Sequence, residues 1–261
     1  MQTKSRSMTD KRADRKTGLI RLLQENEPIS IQKLAQISGL SQSTLRRELH
    51  ELVDEGLVRV SVGQVALAAS SEEKPFAFRT MINLEAKQRI ARAGLDLIQN
   101  GETIFISGGT TTLEIARLLP RQRRLTVITN TLRVANLLVD VTGIDLIVLG
   151  GAVRSGEQTM HGHLTEWGVH QFRADKLFYG VEAINIHHGV THSQIVEVAT
   201  DRALANAATQ VIVLADHTKF GKVAPAFVLA LEKIHILISD GNLPEETLQS
   251  LNSKNVKVIL T

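Results

Sequence analysis

The stretch Ser41–Asp54, SQSTLRRELHELVD, sets Ser41, Gln42, Ser43 and Thr44 just ahead of two adjacent arginines, Arg46 and Arg47. Leu45, Leu49 and Leu52 recur at i, i+4 and i+7, so the segment reads as a helix with one apolar stripe. Ser41 suits its N-cap, because a serine hydroxyl accepts a hydrogen bond from a free N–H of the first turn. At about 100° per residue, Ser43, Arg47 and His50 fall opposite the stripe and Arg46 lies on its shoulder. Arginine's planar fork pairs with guanine edges or grips phosphates, and short hydroxyl side chains let a helix approach closely. An ordinary surface helix with a solvated face uses the same residue types, so this helix alone leaves both readings open.

A second segment of this kind is Ser107-Gly108-Gly109-Thr110-Thr111-Thr112, set between a buried-type strand and a helix. Backbone N–H groups at a helix start favour anions, glycines permit close approach, and threonine hydroxyls add donors. The segment is not a Walker A loop, since no Gly-Lys-Ser/Thr ends it, and it lacks the G-x-G-x-x-G spacing of a dinucleotide fingerprint. A phosphate or anionic-sugar pocket and a plain tight turn both fit. Thr129-Asn130-Thr131 and Gly150-Gly151 repeat the pattern after the next two apolar runs. Three polar, small-residue turns after successive strands can converge on one crevice. Asp216, His217 and Lys219 also follow a strand and can reach it, or form a solvated loop. Glu182, Glu197 and Asp201 are available as general bases, but no paired acid–base constellation stands out. His161, His163, His187, His188 and His192 lack the carboxylate spacing of a metal cage, so neither metal nor other cofactor is expected.

The elements that must position these residues divide the chain in two. Residues 1–60 hold 11 Lys+Arg against 8 Asp+Glu, and the remaining residues hold 19 of each, so the net charge of +3 sits at the N-terminal end. That asymmetry favours a polyanion partner for the first part only. Absence of cysteine excludes disulfides and thiolate metal sites. No apolar run approaches the roughly 18–20 residues that cross a bilayer, and the basic N-terminus lacks the apolar core of a secretory signal. An intracellular, cytoplasmic protein without a membrane partner is expected.

Residues 1–11 read as a disordered basic arm. Over residues 12–68, a first helix ends before Pro28, Ser30 caps a second, and Ser38-Gly39-Leu40 breaks it ahead of the Ser41 helix. Gly56 then suits a C-cap, and LVRVSVGQVALA reads as two short strands about Val62-Gly63-Gln64. Two helices about a glycine-containing turn, followed by a wing, make a winged helix-turn-helix for double-stranded DNA. Residues 69–80 read as a linker. In residues 81–261, Asn83 caps a helix, and seven apolar runs (ETIFIS, LTVIT, IDLIVL, KLFYGV, TQVIVLA, IHILIS, VKVIL) alternate with helical stretches. The pattern predicts an α/β domain with a mainly parallel sheet covered on both faces.

In the order of these motifs, from the Ser41 helix through SGGTTT, TNT, Gly150-Gly151, Asp175–Gly180, Gly189-Val-Thr and ADHTKFGK, the chain resembles the DeoR family of bacterial transcriptional regulators over about residues 12–260. The resemblance implies a repressor of carbohydrate-utilisation genes. Its sensor domain would be similar to ribose-phosphate isomerase and coenzyme A transferase folds and would bind a phosphorylated sugar or related metabolite. Position by position, it sets the effector against Gly109, Thr110, Thr111, Asn130, Gly151 and Lys219, and operator DNA against Arg46 and Arg47. Ser107, Gly108, Thr129 and Thr131 complete the candidate effector set, and Ser41, Gln42, Ser43 and Thr44 the DNA set. A homo-oligomer, dimer or tetramer, is expected because paired recognition helices match half-sites about one helical turn apart. Three positions depart from the family pattern: Ser107 replaces an Asp, Asp201-Arg202 a Lys-Arg pair, and Val62-Gly63 a Gly-Gly wing turn. The alternative is a sugar-phosphate isomerase-like enzyme with a DNA-binding appendage; with Ser107 in place of an acid, a non-enzyme is expected.

Overall fold

Both serine caps form. Helices α1 (Met8–Asn26), α2 (Ile31–Ser38) and α3 (Gln42–Asp54) build the first unit with β1 (Ile29–Ser30), β2 (Val58–Ser61) and β3 (Gln64–Leu67). Ser30 accepts a bond from Lys33 N and Ser41 from Thr44 N, each at 3.2 Å, and Gly39 turns the chain between them at φ 66°. The three strands pair antiparallel in the order β1-β3-β2, so the wing rests on a third short strand that leads straight into α2. Leu19, Ile20, Leu23, Leu34, Leu45, Leu49, Leu52 and Val65 form one core, closing the helices over the sheet.

The computed structural model describes residues 8–26, 28–67, 75–119, 124–241 and 243–261, and the chain divides into two units, Met1–Ile82 and Asn83–Thr261. The expected disordered arm is helical from Met8 onward, and residues 1–7 lie outside the described set. No proline or glycine interrupts residues 8–17, so the helix extends back from its packed turn at Leu19–Leu23. Of the expected linker, residues 69–74 lie outside the described set, while Phe76–Met81 form helix α4. Pro75 starts this helix rather than breaking structure, and Phe78 is buried in the first unit's core.

The second unit runs α5 (Leu84–Leu95), β4 (Thr103–Ile106), α6 (Thr110–Leu118), β5 (Leu125–Thr129), α7 (Leu132–Leu138) and β6 (Ile144–Val148). A hairpin follows, β7 (Ala152–Arg154) and β8 (Thr159–His161), then α8 (His163–His170) and β9 (Ala174–Gly180). β10 (Ala183–Asn185), β11 (Gly189–His192), α9 (Ile195–Ala207), β12 (Ala208–Leu214), β13 (Ala226–Leu229), β14 (Ile236–Ser239), α10 (Glu245–Ser253) and β15 (Lys257–Leu260) complete it. All seven expected apolar runs lie in one sheet, ordered β15-β14-β12-β9-β4-β5-β6, with every pairing parallel. Leu177, Phe178 and Tyr179, consecutive in β9, are all buried, as a sheet covered on both faces requires.

Parallel pairing puts the C-terminal ends of all seven strands on one edge. From β4 the chain steps outward to β6, then restarts at β9 on the other side of β4, so the order reverses between β4 and β9. Ligands in open α/β sheets bind at such a switch point. Asn83 does not cap α5 as expected: it adopts φ 52° and its amide reaches Asp216 Oδ1 at 3.3 Å instead. The β7–β8 hairpin and the antiparallel β10-β11-β13 sheet have no counterpart among the expected elements, because strands of three or four residues carry too little alternation to register.

Candidate nucleic-acid interface and effector crevice

On α3, Leu45, Leu49 and Leu52 are buried, which turns Ser41, Gln42, Ser43, Arg46, Arg47 and His50 outward and leaves Thr44 half-buried. Ser41 Oγ also lies 3.1 Å from Ser43 Oγ and 2.8 Å from Thr44 Oγ1, so the first turn is a linked set of hydroxyls. Glu48 is fully buried on the same helix, a placement its residue type did not suggest. Arg15 Nε of α1 lies 3.3 Å from its carboxylate, and Arg47 Nη2 lies 3.8 Å away. Lys16 reaches Glu51 and Glu55 from the same side of α1. Partial burial opposes its charge, but hydrogen bonds to Glu55 and Glu51 outweigh that and raise its pKa. Two consecutive cations of α1 therefore fasten the helix that carries Arg46 and Arg47.

In the second unit the glycine turn lies at the switch point. Ser107 Oγ donates to Gly108 O (3.2 Å) and accepts from Gly180 N (3.4 Å), joining the ends of β4 and β9. A Cβ on Gly108 would fall 2.5 Å from Thr159 Cγ2, so only glycine allows β8 this close. Helix α6 begins at Gly109 with no side-chain cap, and its first intrahelical N–H bond is that of Leu113 to Gly109 O, at 3.1 Å. The preceding N–H groups, with the buried Thr110 and Thr111 beside them, form a donor-rich start.

The TNT turn folds onto the same hairpin. Thr129 and Thr131 use their hydroxyls locally: Thr129 donates to Ile106 O at 2.7 Å, and Thr131 caps α7 by accepting from Arg133 N at 3.3 Å. Asn130 differs. Its Nδ2 donates to Met160 O at 3.0 Å, and its Oδ1 is buried without a hydrogen-bond partner among the described residues. Gly151 is needed for packing against α8, since a Cβ there would stand 2.0 Å from Thr165 Oγ1. Lys219 follows β12 in a short 3-10 turn beside Asp216. Burial alone would push the Asp216 carboxyl up, but the Thr218 hydroxyl, Lys219, Lys87 and the Thr218 amide hold it below the ordinary carboxylate range. Lys219 thus belongs to a charged group around Asp216, two strands across the sheet from the glycine turn.

Sequence reasoning did not find a cluster assembled from β7, β8, β9, β11 and α9. Glu197 Oε1 accepts from Thr159 Oγ1 (2.7 Å) and Arg154 Nη1 (3.2 Å), while its Oε2 lies 3.4 Å from His192 Nε2. His192 Nδ1 accepts from Gln194 N (2.9 Å) and lies 3.2 Å from Glu182 Oε2, which accepts from Ser193 N and Oγ. One turn beyond Glu197, Asp201 Oδ2 accepts from the Tyr179 hydroxyl at 2.8 Å. Burial pushes Asp201 up to about 7; the Tyr179 hydrogen bond opposes the rise and the Glu197 charge adds to it. Burial likewise drives the Tyr179 hydroxyl well above its ordinary value, with the Asp201 charge adding to the effect. These residues come from five separated segments, and no short-range spacing links them. The three carboxylates named above as possible bases are in fact brought together.

The family described as DeoR C terminal sensor domain matches residues 82–241, and a winged helix-turn-helix DNA-binding family matches residues 13–59. The chain belongs to the DeoR family. Among DeoR-type relatives, the glycerol-3-phosphate regulon repressor of Escherichia coli (strain K12) is 31% identical, covering 96% of this chain and 99% of that protein. An HTH-type transcriptional regulator of Listeria innocua is 32% identical, covering 88% of this chain and 91% of its own. The ribose 5-phosphate isomerase A structure from Methanocaldococcus jannaschii overlaps 53% of this chain and 55% of its own at 16% identity and TM-score 0.40. No helix among the described residues of this DeoR-family chain is long and apolar enough to cross a membrane.

Proposed function

We propose that this DeoR-family chain represses carbohydrate-utilisation genes by binding operator DNA through α3, and that a phosphorylated sugar at the start of α6 alters that binding. The observation that carries the effector reading is the uncapped N-terminus of α6, flanked by buried Thr110 and Thr111, at the point where strand order reverses. Ser107, Gly108 and Gly109 shape the turn, Asn130 offers its amide oxygen, and Thr129, Thr131 and Gly151 hold the surrounding backbone. Lys219 extends the site only if the ligand reaches the turn after β12. On α3, the hydroxyls of Ser41, Ser43 and Thr44 with Gln42 fit close to the groove, and Arg46 and Arg47 contact bases or phosphates.

The protein works in the cytoplasm, as a dimer or tetramer whose paired α3 helices meet two half-sites. It acts as a regulator and not as an isomerase; the named relatives are regulators, and that supports this reading. The deciding experiment is a thermal-shift screen of the full chain with phosphorylated sugars, followed by DNA-binding titrations with any hit, on a duplex selected from random sequence. A ligand at 100 times its Kd adds about 2.7 kcal/mol, a readily measured rise. The expected result is stabilisation by a phosphorylated sugar together with a changed DNA affinity. Stabilisation without any change in DNA affinity would remove the regulatory link, and turnover of a sugar phosphate would restore the enzyme reading.

A further inference from the structure

The cluster around Tyr179 is short of positive charge. It holds three carboxylates, Glu182, Glu197 and Asp201, against two possible cations, Arg154 and His192, and both of those lie on Glu197 or Glu182. Asp201 pairs with no Lys, Arg or His among the described residues. Its neighbour Arg202 is engaged elsewhere, donating to the Phe227 and Val228 carbonyls. Tyr179 holds Asp201 Oδ2. A buried carboxylate without a cation is costly, and the cost falls when a positive group arrives.

A separate observation points to a ligand at the same place. Asn130 is 5% exposed and its Oδ1 has no donor among the described residues, although buried polar atoms are normally satisfied. Its Nδ2 is tied to Met160 O, which turns Oδ1 away from the β8 backbone. The residue before Met160, Thr159, carries the hydroxyl that holds Glu197 and packs against Gly108. One hairpin strand therefore connects the unpartnered amide oxygen, the carboxylate cluster and the glycine turn. The start of α6 offers donors, and Asn130 and Asp201 offer acceptors.

We infer that the effector is a phosphorylated amino sugar, its phosphate at the start of α6, its protonated amine on Asp201 and a ring hydroxyl on Asn130 Oδ1. The inference rests on the phosphorylated-sugar reading above and adds the amine to it. A neutral sugar phosphate brings only negative charge to a site already in excess of carboxylate, whereas an ammonium group supplies the missing cation. Burial lifts the Asp201 carboxyl in the protein alone, and an ammonium partner would draw it back to the ionised form.

The test is calorimetric titration of the full chain at pH 7.5 (roughly one unit above a histidine's ordinary pKa). The probes are hexosamine 6-phosphates of gluco, manno and galacto configuration, each beside the hexose 6-phosphate of the same configuration, plus the free hexosamines. The expected result is one aminated phosphate binding at least about tenfold tighter than its hydroxyl counterpart, about 1.4 kcal/mol. That preference should collapse in Asp201→Asn and survive in Asp201→Glu, with far-UV circular dichroism confirming that both variants are folded. Equal binding of a pair, or a preference untouched by Asp201→Asn, overturns the amine while leaving the phosphorylated-sugar reading in place. Binding of a free hexosamine alone keeps the amine and removes the phosphate. Silence across all probes overturns the phosphorylated amino sugar and confines the phosphorylated-sugar reading to non-hexose phosphates.

Discussion

At the scale of single residues, the exposed Arg47 and the crowded Gly108 test the two sites separately. Arg47→Ala should weaken binding to a selected duplex by about 1–3 kcal/mol, roughly 5- to 160-fold, measured by fluorescence anisotropy at physiological salt. An unchanged Kd would remove Arg47 from the interface. Gly108→Ala forces a methyl into Thr159, whose hydroxyl holds Glu197, so the effector response should be lost while duplex binding without effector persists. Asp201 carries a pH signature of its own. Its carboxyl is raised from 3.8 to about 7, so the native state holds this proton more tightly than the unfolded chain does. Its stabilising contribution is complete below pH ~4 and disappears as pH rises through ~7, by about 1.4 kcal/mol for each tenfold difference in proton affinity between the two states. Thermal melts of the wild type should therefore fall more steeply over that window than melts of Asp201→Asn; parallel curves would mean that Asp201 titrates normally.

At the scale of elements, the sequence was most legible where one periodicity ran long. The Leu45/Leu49/Leu52 stripe, both serine caps and the seven apolar strands were all visible, because burial of a face or of a whole strand imposes a pattern on neighbouring residues. The acid cluster around Tyr179 was not visible, since it joins five short segments and depends on side-chain directions that no local pattern encodes. Glu48 was hidden for a related reason: a glutamate on a polar face is ordinarily solvated, and here Arg15 from α1 and Arg47 of its own helix lie beside the buried carboxylate. The wing offers an element-scale prediction. Val62 sits at φ 47° with a 99% exposed side chain, a left-handed conformation that β-branched residues rarely adopt. With Gly63 also left-handed at φ 74°, the turn suits Asn-Gly, so Val62→Asn should stabilise the protein by about 1 kcal/mol in a urea titration. Loss of stability would show that the valine is held by something other than the turn.

At the scale of the whole molecule, β4 is the first strand of its sheet in the chain yet lies inside it, bonded on one side to β9 and on the other to β5. The first unit, with its own core, is complete by Ile82, whereas the end of β9 arrives only at Gly180. At synthesis rates of 5–20 residues per second, that separation lasts roughly 5–20 s. During this interval the nascent chain carries a finished helix-turn-helix and an open sheet edge on β4. A ribosome-bound chain therefore completes the segment of its winged helix-turn-helix before β4 gains its β9 neighbour.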